Sequence, residues 1–312
     1  MASAPSPTVS VTIVLHNSER ELGRCLAAIR PDVLRGFAEL IAVDNASPDD
    51  SAGAVASVVP DARMIRSDEN RGFAAGANLA WPHARGRYWL LLNPDAELDE
   101  GGMERLAAWM DAHHQLGAAS AELTGPVGGE PLSTGRAQPS PWRALLEASR
   151  LHLLLPRRTR GRILRGAYWS GGDQLDAGWV PATALLVRRE AVDSAGLLDE
   201  SFFLYGEDIE WCWRLRRAGW SIGVCSTVRA RHWEGGSALR TFDHEAVRRR
   251  MVEGEVEAVR KIQGDRYARA YARANALALG IESRHPGRSA ERRRSARSAA
   301  RAWHRAGGRG TI

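Results

Sequence analysis

Tyr88-Trp89-Leu90-Leu91-Leu92-Asn93-Pro94-Asp95 runs from five consecutive apolar residues into a turn that ends on a carboxylate. An apolar run this short, stopped by Asn-Pro, reads as a strand buried on both faces. The residues before it repeat the pattern. Val9 to Leu15 is a β-branched run, Glu19 to Arg30 carries helix signals, Leu40 to Val43 is a second buried strand and Arg63 to Arg66 a third. Alternation of this kind predicts an α/β fold with a mainly parallel central sheet flanked by helices. Asp44 and Asp95 both fall just past strand C-termini, the edge of an open α/β sheet where ligands bind.

Working outward, a helix is expected over Gly102 to His114 and a strand around Ala118 to Leu123. Periodicity weakens over 125–178, where Pro, Gly and Arg are frequent; this stretch reads as loops with a helix or two, facing a variable partner. A strand over Trp179 to Arg188, a helix over Glu207 to Ala218, a strand over Ser221 to Val224 and the segment Thr227 to His232 close the core. The expected organisation is a short disordered arm over 1–8, a catalytic domain over 9–240, a helical extension over 241–280 and a basic, disordered tail over 281–312.

The 312 residues are 44% hydrophobic, ample for a core and incompatible with disorder throughout. No apolar stretch approaches the length that spans a bilayer, and the N-terminal arm lacks a basic or hydrophobic segment, so a cytoplasmic protein is expected. Cys25, Cys212 and Cys225 are scattered without metal-ligand spacing and read as small buried hydrophobes. The net charge of +6 is concentrated in two places. Between Arg143 and Arg165 arginines surround Leu151, Leu153, Leu154 and Leu155, and in the tail arginines alternate with Ala, Ser and Gly. Such stretches suit an anionic membrane surface, nucleic acid or plain solvent. The tail has no interleaved aromatic except Trp303, so nucleic acid is not expected as a partner.

Three groups of residues carry candidate chemistry. Phe202-Phe203-Leu204-Tyr205-Gly206-Glu207-Asp208 places two adjacent carboxylates at the start of a helix, where they either complement the helix dipole or serve a reactive cleft. Asp44-Asn45-Ala46-Ser47 makes a βα turn, or offers a carboxylate to a ligand's N–H donor across the sheet edge. Asn93-Pro94-Asp95 presents two oxygen-bearing side chains of the type magnesium and manganese favour. His232, followed by Glu234-Gly235-Gly236-Ser237, is either structural or a metal ligand.

Taken in order, these segments resemble the family-2 glycosyltransferases, inverting nucleotide-sugar enzymes of GT-A fold, and especially their rhamnosyltransferase-like branch. The carriers are Val11 to Asn17, Val43 to Ser47, Asn70-Arg71-Gly72-Phe73-Ala74 with Asn78, Leu92 to Asp95, Phe202 to Arg214 and His232 to Ser237. The resemblance spans about Val9 to Ser237. Two departures stand out: His16 replaces an aromatic residue, and Trp179-Val180-Pro181-Ala182-Thr183 carries Ala182 where a glycine near the donor sugar is usual.

The resemblance implies roles. Asp44 and Asn45, with the backbone near His16 and Asn17, would hold the nucleotide base. Asn70, Arg71, Gly72, Asn78, Asn93 and Ala182 would face the donor, and Asp95 and His232 would hold Mg²⁺ or Mn²⁺ on the diphosphate. Asp208 would be the general base and Glu207 its positioning partner or understudy. The expected donor is a dTDP- or UDP-sugar, with rhamnose first, and the expected acceptor a saccharide or polyprenyl-linked saccharide of the cell envelope. A tailoring enzyme of a soluble natural product is the second reading. A non-catalytic nucleotide-sugar-binding protein is the third, though none of Asp95, Glu207 and Asp208 has been lost.

Overall fold

The computed structural model describes residues 6–126, 129–169, 172–233, 242–284, 287 and 289–308. Eight strands form one sheet: β1 (Val9–Leu15), β2 (Ala38–Asn45), β3 (Arg63–Ser67), β4 (Tyr88–Leu92), β5 (Ala96–Leu98), β6 (Leu116–Thr124), β7 (Ala184–Arg188) and β8 (Ser221–His232), in the order β3-β2-β1-β4-β7-β6-β8-β5. The first four strands are mutually parallel. β7 enters antiparallel to both β4 and β6, and β5 runs antiparallel to β8, so the sheet is mixed.

The pleat of β4 explains its uninterrupted apolar sequence. Tyr88, Leu90 and Leu92 point into one layer, with Leu22, Leu26 and Ile29 of α1 (Glu19–Leu34) and Met103, Leu106 and Met110 of α4 (Gly102–Ala112). Trp89 and Leu91 point into the other, with Ala74 and Ala77 of α3 (Gly72–Ala80) and Trp211, Cys212 and Leu215 of α8 (Glu207–Arg217). Both faces are covered, so polar residues have no place on this strand. Trp89 packs edge-on against Trp211 at 5.9 Å and donates its indole N–H to Thr12 Oγ1 at 2.8 Å. Full burial of one such side chain contributes about 1.5–3 kcal/mol. The three cysteines are buried.

The remaining helices are α2 (Ser51–Val58), α5 (Pro141–Ala148), α6 (Arg157–Leu164), α7 (Arg189–Ala195), α9 (His244–Gln263), α10 (Asp265–Arg284) and α11 (Ala290–Gly308). Two expectations need correction. The strand expected from Trp179 begins at Ala184; residues 179–183 are irregular, tied to the 125–178 region by Arg136 N–H to Trp179 O and Trp179 N–H to Arg136 O. The tail expected to be disordered contains α11, which packs on α10. Trp303 meets Tyr271 edge-on at 5.4 Å, and Ala302 and Ala306 are buried with Ala268 and Ala272. The alternating small residues that suggested a solvated tail are what let the two helices approach. A side chain on Gly307 would come within 2.7 Å of Ala272 Cβ.

Candidate active site

A cavity of about 320 Å³ opens at the C-terminal edge of β1, β2 and β4. Six expected residues enter it from that side: His16, Asn45, Asn70, Gly72, Asn93 and Asp95. Ala182, Glu207, Asp208 and His232 line it as well. The turns after the strands are built by their own amides. Asn45 donates to Asn70 Oδ1 at 3.1 Å and to Gly72 O at 2.9 Å, and its Oδ1 accepts from Arg71 N–H at 3.1 Å. His16 Nδ1 lies 3.1 Å from Asn45 O.

The Asp95–His232 pair follows from strand register. Ala96 stands opposite His232 in the β5–β8 pair, and Trp233 N–H donates to Asp95 O at 3.0 Å. This brings His232 Nε2 to 3.3 Å from Asp95 Oδ1, with both side chains largely shielded from solvent. The pair converges on the cavity and offers one oxygen and one nitrogen donor. That set fits a divalent cation which takes its other ligands from phosphate and water. No group of three or more His, Cys, Asp or Glu suited to a metal occurs among the described residues. The Glu234-Gly235-Gly236-Ser237 part of the motif lies outside the described residues.

Glu207 and Asp208 open α8. The turn before them has left-handed backbone at both Tyr205 (φ 72°) and Gly206 (φ 98°), and it is held from two sides. Phe73 N–H donates to Phe203 O at 2.8 Å, and Gly72, with φ 85°, has no room for a side chain, since a Cβ would lie 2.1 Å from the same carbonyl oxygen. On the other side Gly254 of α9 rests on the turn; a Cβ there would lie 2.1 Å from Tyr205 O.

The two acids occupy different environments. Glu207 is buried, its Oε2 has no hydrogen-bond partner among the described residues, and burial followed by the neighbouring Asp208 charge pushes its carboxyl well above the usual range. Asp208 is half-buried. Burial raises its pKa too, but opposing contributions come from the Ile209 N–H (2.8 Å), the positive field of Arg136 and the Ala182 N–H. The pair is thus biased toward a protonated Glu207 and an ionised Asp208.

Four expected residues do not line the cavity. Asn78 is buried beneath it, donating to Leu198 O and Glu200 Oε1 and accepting from Leu198 N–H, so its amide holds a loop. Arg71 points outward to Glu200 at 3.3 Å. Asp44 accepts from Ser47 N–H at 2.9 Å, opposite Leu15 in the β1–β2 register, and Asn17 lies just beyond β1 with φ 54°. Sequence reasoning missed Arg136, Glu255, Met251 and Phe242, all on the cavity wall. Glu255 and Met251 belong to α9, which looked like an extension separate from the site. The signal was Gly254, a glycine inside a 20-residue helix, costing about 1 kcal/mol relative to alanine and marking a close backbone approach.

Residues 10–136 match the family described as Glycosyl transferase family 2. The chain is 27% identical over 245 residues to the N-acetylglucosaminyl-diphospho-decaprenol L-rhamnosyltransferase of Mycobacterium tuberculosis, covering 75% of this chain and 78% of that protein. It is 26% identical over 228 residues to the low-salt glycan biosynthesis hexosyltransferase Agl10 of Haloferax volcanii, covering 72% and 66%. The mannosyltransferase PcManGT of Pyrobaculum calidifontis, solved in complex with GDP-Man and Mn²⁺, superposes with a TM-score of 0.62 at 18% identity, over 97% of this chain and 86% of that one. The matched segment supplies the β1–β4 edge of the cavity and the acid pair follows beyond it; the chain is a glycosyltransferase that carries a family 2 domain match over residues 10–136, with a fold like that of the GT-A enzymes.

Proposed function

We propose that this glycosyltransferase is metal-dependent and inverting, moving a sugar, rhamnose first, from a dTDP- or UDP-sugar to a hydroxyl of a polyprenyl-linked saccharide in cell-envelope assembly. One observation carries the reading: Asp95 with His232, and Glu207 with Asp208, line one cavity, so a diphosphate site and a base share it. The acceptor and sugar choice rest on the relative that acts on a decaprenol-linked substrate.

In the proposed reaction the acceptor hydroxyl attacks the anomeric carbon from the face opposite the diphosphate. The new C–O bond forms as the bond to the phosphate oxygen breaks, and the hydroxyl proton passes to Asp208. A base must be ionised beforehand. The Ile209 and Ala182 N–H groups and Arg136 favour that state at Asp208, while Glu207 keeps its own proton and holds the pair at a single negative charge. Asp95 and His232 would hold a divalent cation that neutralises charge on the departing diphosphate. Asp44, with the backbone around His16 and Asn17, is proposed to meet the nucleotide base, and Asn70, Gly72, Asn93 and Ala182 the donor sugar and phosphates. Arg71 and Asn78 act indirectly in this scheme, by bracing the loop at Leu198 and Glu200.

Peripheral membrane contact belongs to the same proposal. Leu151, Leu153 and Leu154 are 57%, 55% and 81% exposed, Trp142 is 51% exposed, and Arg150, Arg157, Arg158 and Arg162 are exposed among them. Apolar side chains ringed by arginine suit an anionic lipid surface. No helix among the described residues is long and apolar enough to cross a membrane.

The test is a donor panel with the purified full-length chain and Mg²⁺ or Mn²⁺, reading nucleoside-diphosphate release with and without a prenyl-diphosphate-linked N-acetylglucosamine. Asp95→Ala should abolish release and metal-dependent donor binding while the fold persists. Metal-independent donor binding by the wild type, or full turnover by the variant, refutes the metal assignment.

A further inference from the structure

Helix α9 reaches the cavity at one place. Gly254 touches the turn ahead of the acid pair, and Gly206 returns the contact, since a Cβ on it would lie 2.4 Å from Gly254 O. Glu255 follows Gly254 directly and lines the cavity with Met251 and Phe242. Its Oε1 accepts the hydroxyl of buried Tyr271 on α10, which fixes the carboxylate's orientation. Its other oxygen has no hydrogen-bond donor among the described residues. Arg136 lines the same cavity as Glu255 and Asp208; burial raises the Glu255 pKa, and the Tyr271 hydroxyl and the positive field of Arg136 oppose that rise, as Arg136 does at Asp208. That guanidinium is held in place by stacking over Trp179 at 5.0 Å and by donating from Nε to Ser133 O at 2.9 Å.

We infer that Glu255, Met251 and Phe242 of the C-terminal helical region, with Arg136 facing them, form the subsite for the acceptor sugar, in which Glu255 accepts a hydrogen bond from an acceptor hydroxyl. A sugar ring offers apolar C–H faces and outward hydroxyls. Met251, Phe242 and the partly exposed Phe203 present apolar surface to the first, and the open Glu255 oxygen suits the second. Position separates this subsite from the donor's. The expected donor residues, Ala182 apart, come from the turns and helix starts after β1 to β4, whereas Glu255 arrives beside the turn ahead of Asp208, the base that must meet the acceptor hydroxyl. Glu255 is thus a specificity-determining residue contributed by an element that sequence alone sets apart from the catalytic domain. The inference rests on the glycosyl-transfer reading above.

The experiment compares wild type, Glu255→Gln and Tyr271→Phe for transfer to a short-prenyl-diphosphate-linked N-acetylglucosamine, together with donor affinity by calorimetry, donor hydrolysis without acceptor, and melting temperature. Glutamine keeps the shape and the Tyr271 acceptor but replaces the open carboxylate oxygen with a donor. Acceptor KM should rise about ten- to a hundredfold, the loss of a hydrogen bond to a charged group. Donor affinity and donor hydrolysis should stay at wild-type values. Tyr271→Phe retains the carboxylate and loses only its orienting donor, so its KM should rise less. An unchanged acceptor KM in Glu255→Gln overturns the inference alone, as does a Tyr271→Phe variant that loses as much, because the effect would then be structural. Wild-type protein that binds donor yet transfers nothing to this acceptor overturns the acceptor reading and the inference with it.

Discussion

Replacing Gly254 by alanine tests how the C-terminal helices meet the turn ahead of Glu207 and Asp208, because two opposing effects of known size meet at that position. In an isolated helix the change would stabilise by about 1 kcal/mol. In this fold the added methyl would lie 2.1 Å from Tyr205 O, far inside the 3.4–4 Å of ordinary contact. Neither the helix backbone nor the carbonyl can rotate away, so α9 and the turn must separate by roughly an ångström. Overpacking of this kind costs about 1–3 kcal/mol, and with the clash entirely between backbones the upper part of that range applies. The net effect is a loss of about 1–2 kcal/mol, read as a fall in melting temperature of about 2–5 °C. Turnover should suffer more, since displacing a reacting group by about 1 Å can cost about a hundredfold. Gly280→Ala is the matched control: it lies in α10, where the new methyl would meet only Arg284 Nη1 at 3.9 Å, and it should raise the melting temperature slightly. Differential scanning calorimetry and transfer rates well below the transition decide the matter. A Gly254→Ala variant as stable and active as wild type would show that α9 does not sit on the Tyr205 turn.

Asp208→Asn should retain donor affinity and lose about 10²–10⁴-fold in turnover, as removal of a general base does; a larger loss in Glu207→Gln with acceptor present would exchange the two roles. Glu207→Gln also has a stability signature. Glu207's folded pKa is raised, so the stability gained from its neutral form is fully present below the ordinary carboxylate range and is lost as pH rises toward mildly alkaline values. The permanently neutral variant should therefore gain melting temperature over wild type progressively across that window, and identical pH profiles would mean that Glu207 is not held protonated. Changing Leu153 and Leu154 together to glutamate should abolish co-sedimentation with anionic vesicles while transfer to a soluble acceptor analogue continues; vesicle binding equal to wild type would remove this patch from the membrane proposal.

The half of the fold that sequence states most clearly is the half built from local rules. The runs at Val9, Leu40 and Tyr88 are short, apolar and separated by helix signals, so the parallel strands and the C-terminal edge on which the cavity opens could be read directly. What was not legible depends on non-local contacts. β7 was placed correctly as a strand, but its antiparallel entry between β4 and β6 leaves no mark on residues 184–188, which are buried on both faces in either direction. Asn78 carries the amide expected of a donor contact; that it turns to Leu198 and Glu200 instead depends on residues more than a hundred positions away. Arg136 and Glu255 lie in an irregular stretch and a charge-rich helix, where one more charged residue is unremarked in a linear reading. The α11 tail shows the same limit, since Ala/Arg alternation describes a solvated segment and a closely packed helix equally well until Tyr271 supplies a partner for Trp303.

The double contact on the Tyr205–Gly206 turn also sets an order of events during synthesis. A chain emerging N-terminus first can assemble β1 to β4 and their turns as soon as those residues are free, because their pairings are mutual. The left-handed Tyr205 costs about 1–2 kcal/mol by itself, and of the two contacts described on its turn, the one from Gly72 and Phe73 can form before Gly254 has been made. Glu255 gains its orienting hydroxyl later still, when Tyr271 arrives. The nascent protein therefore passes through a stage at which the β1–β4 edge exists while the turn ahead of Glu207 and Asp208 still lacks one of its described contacts, and α9 and α10, made after that turn, complete the bracing of the turn and of Glu255.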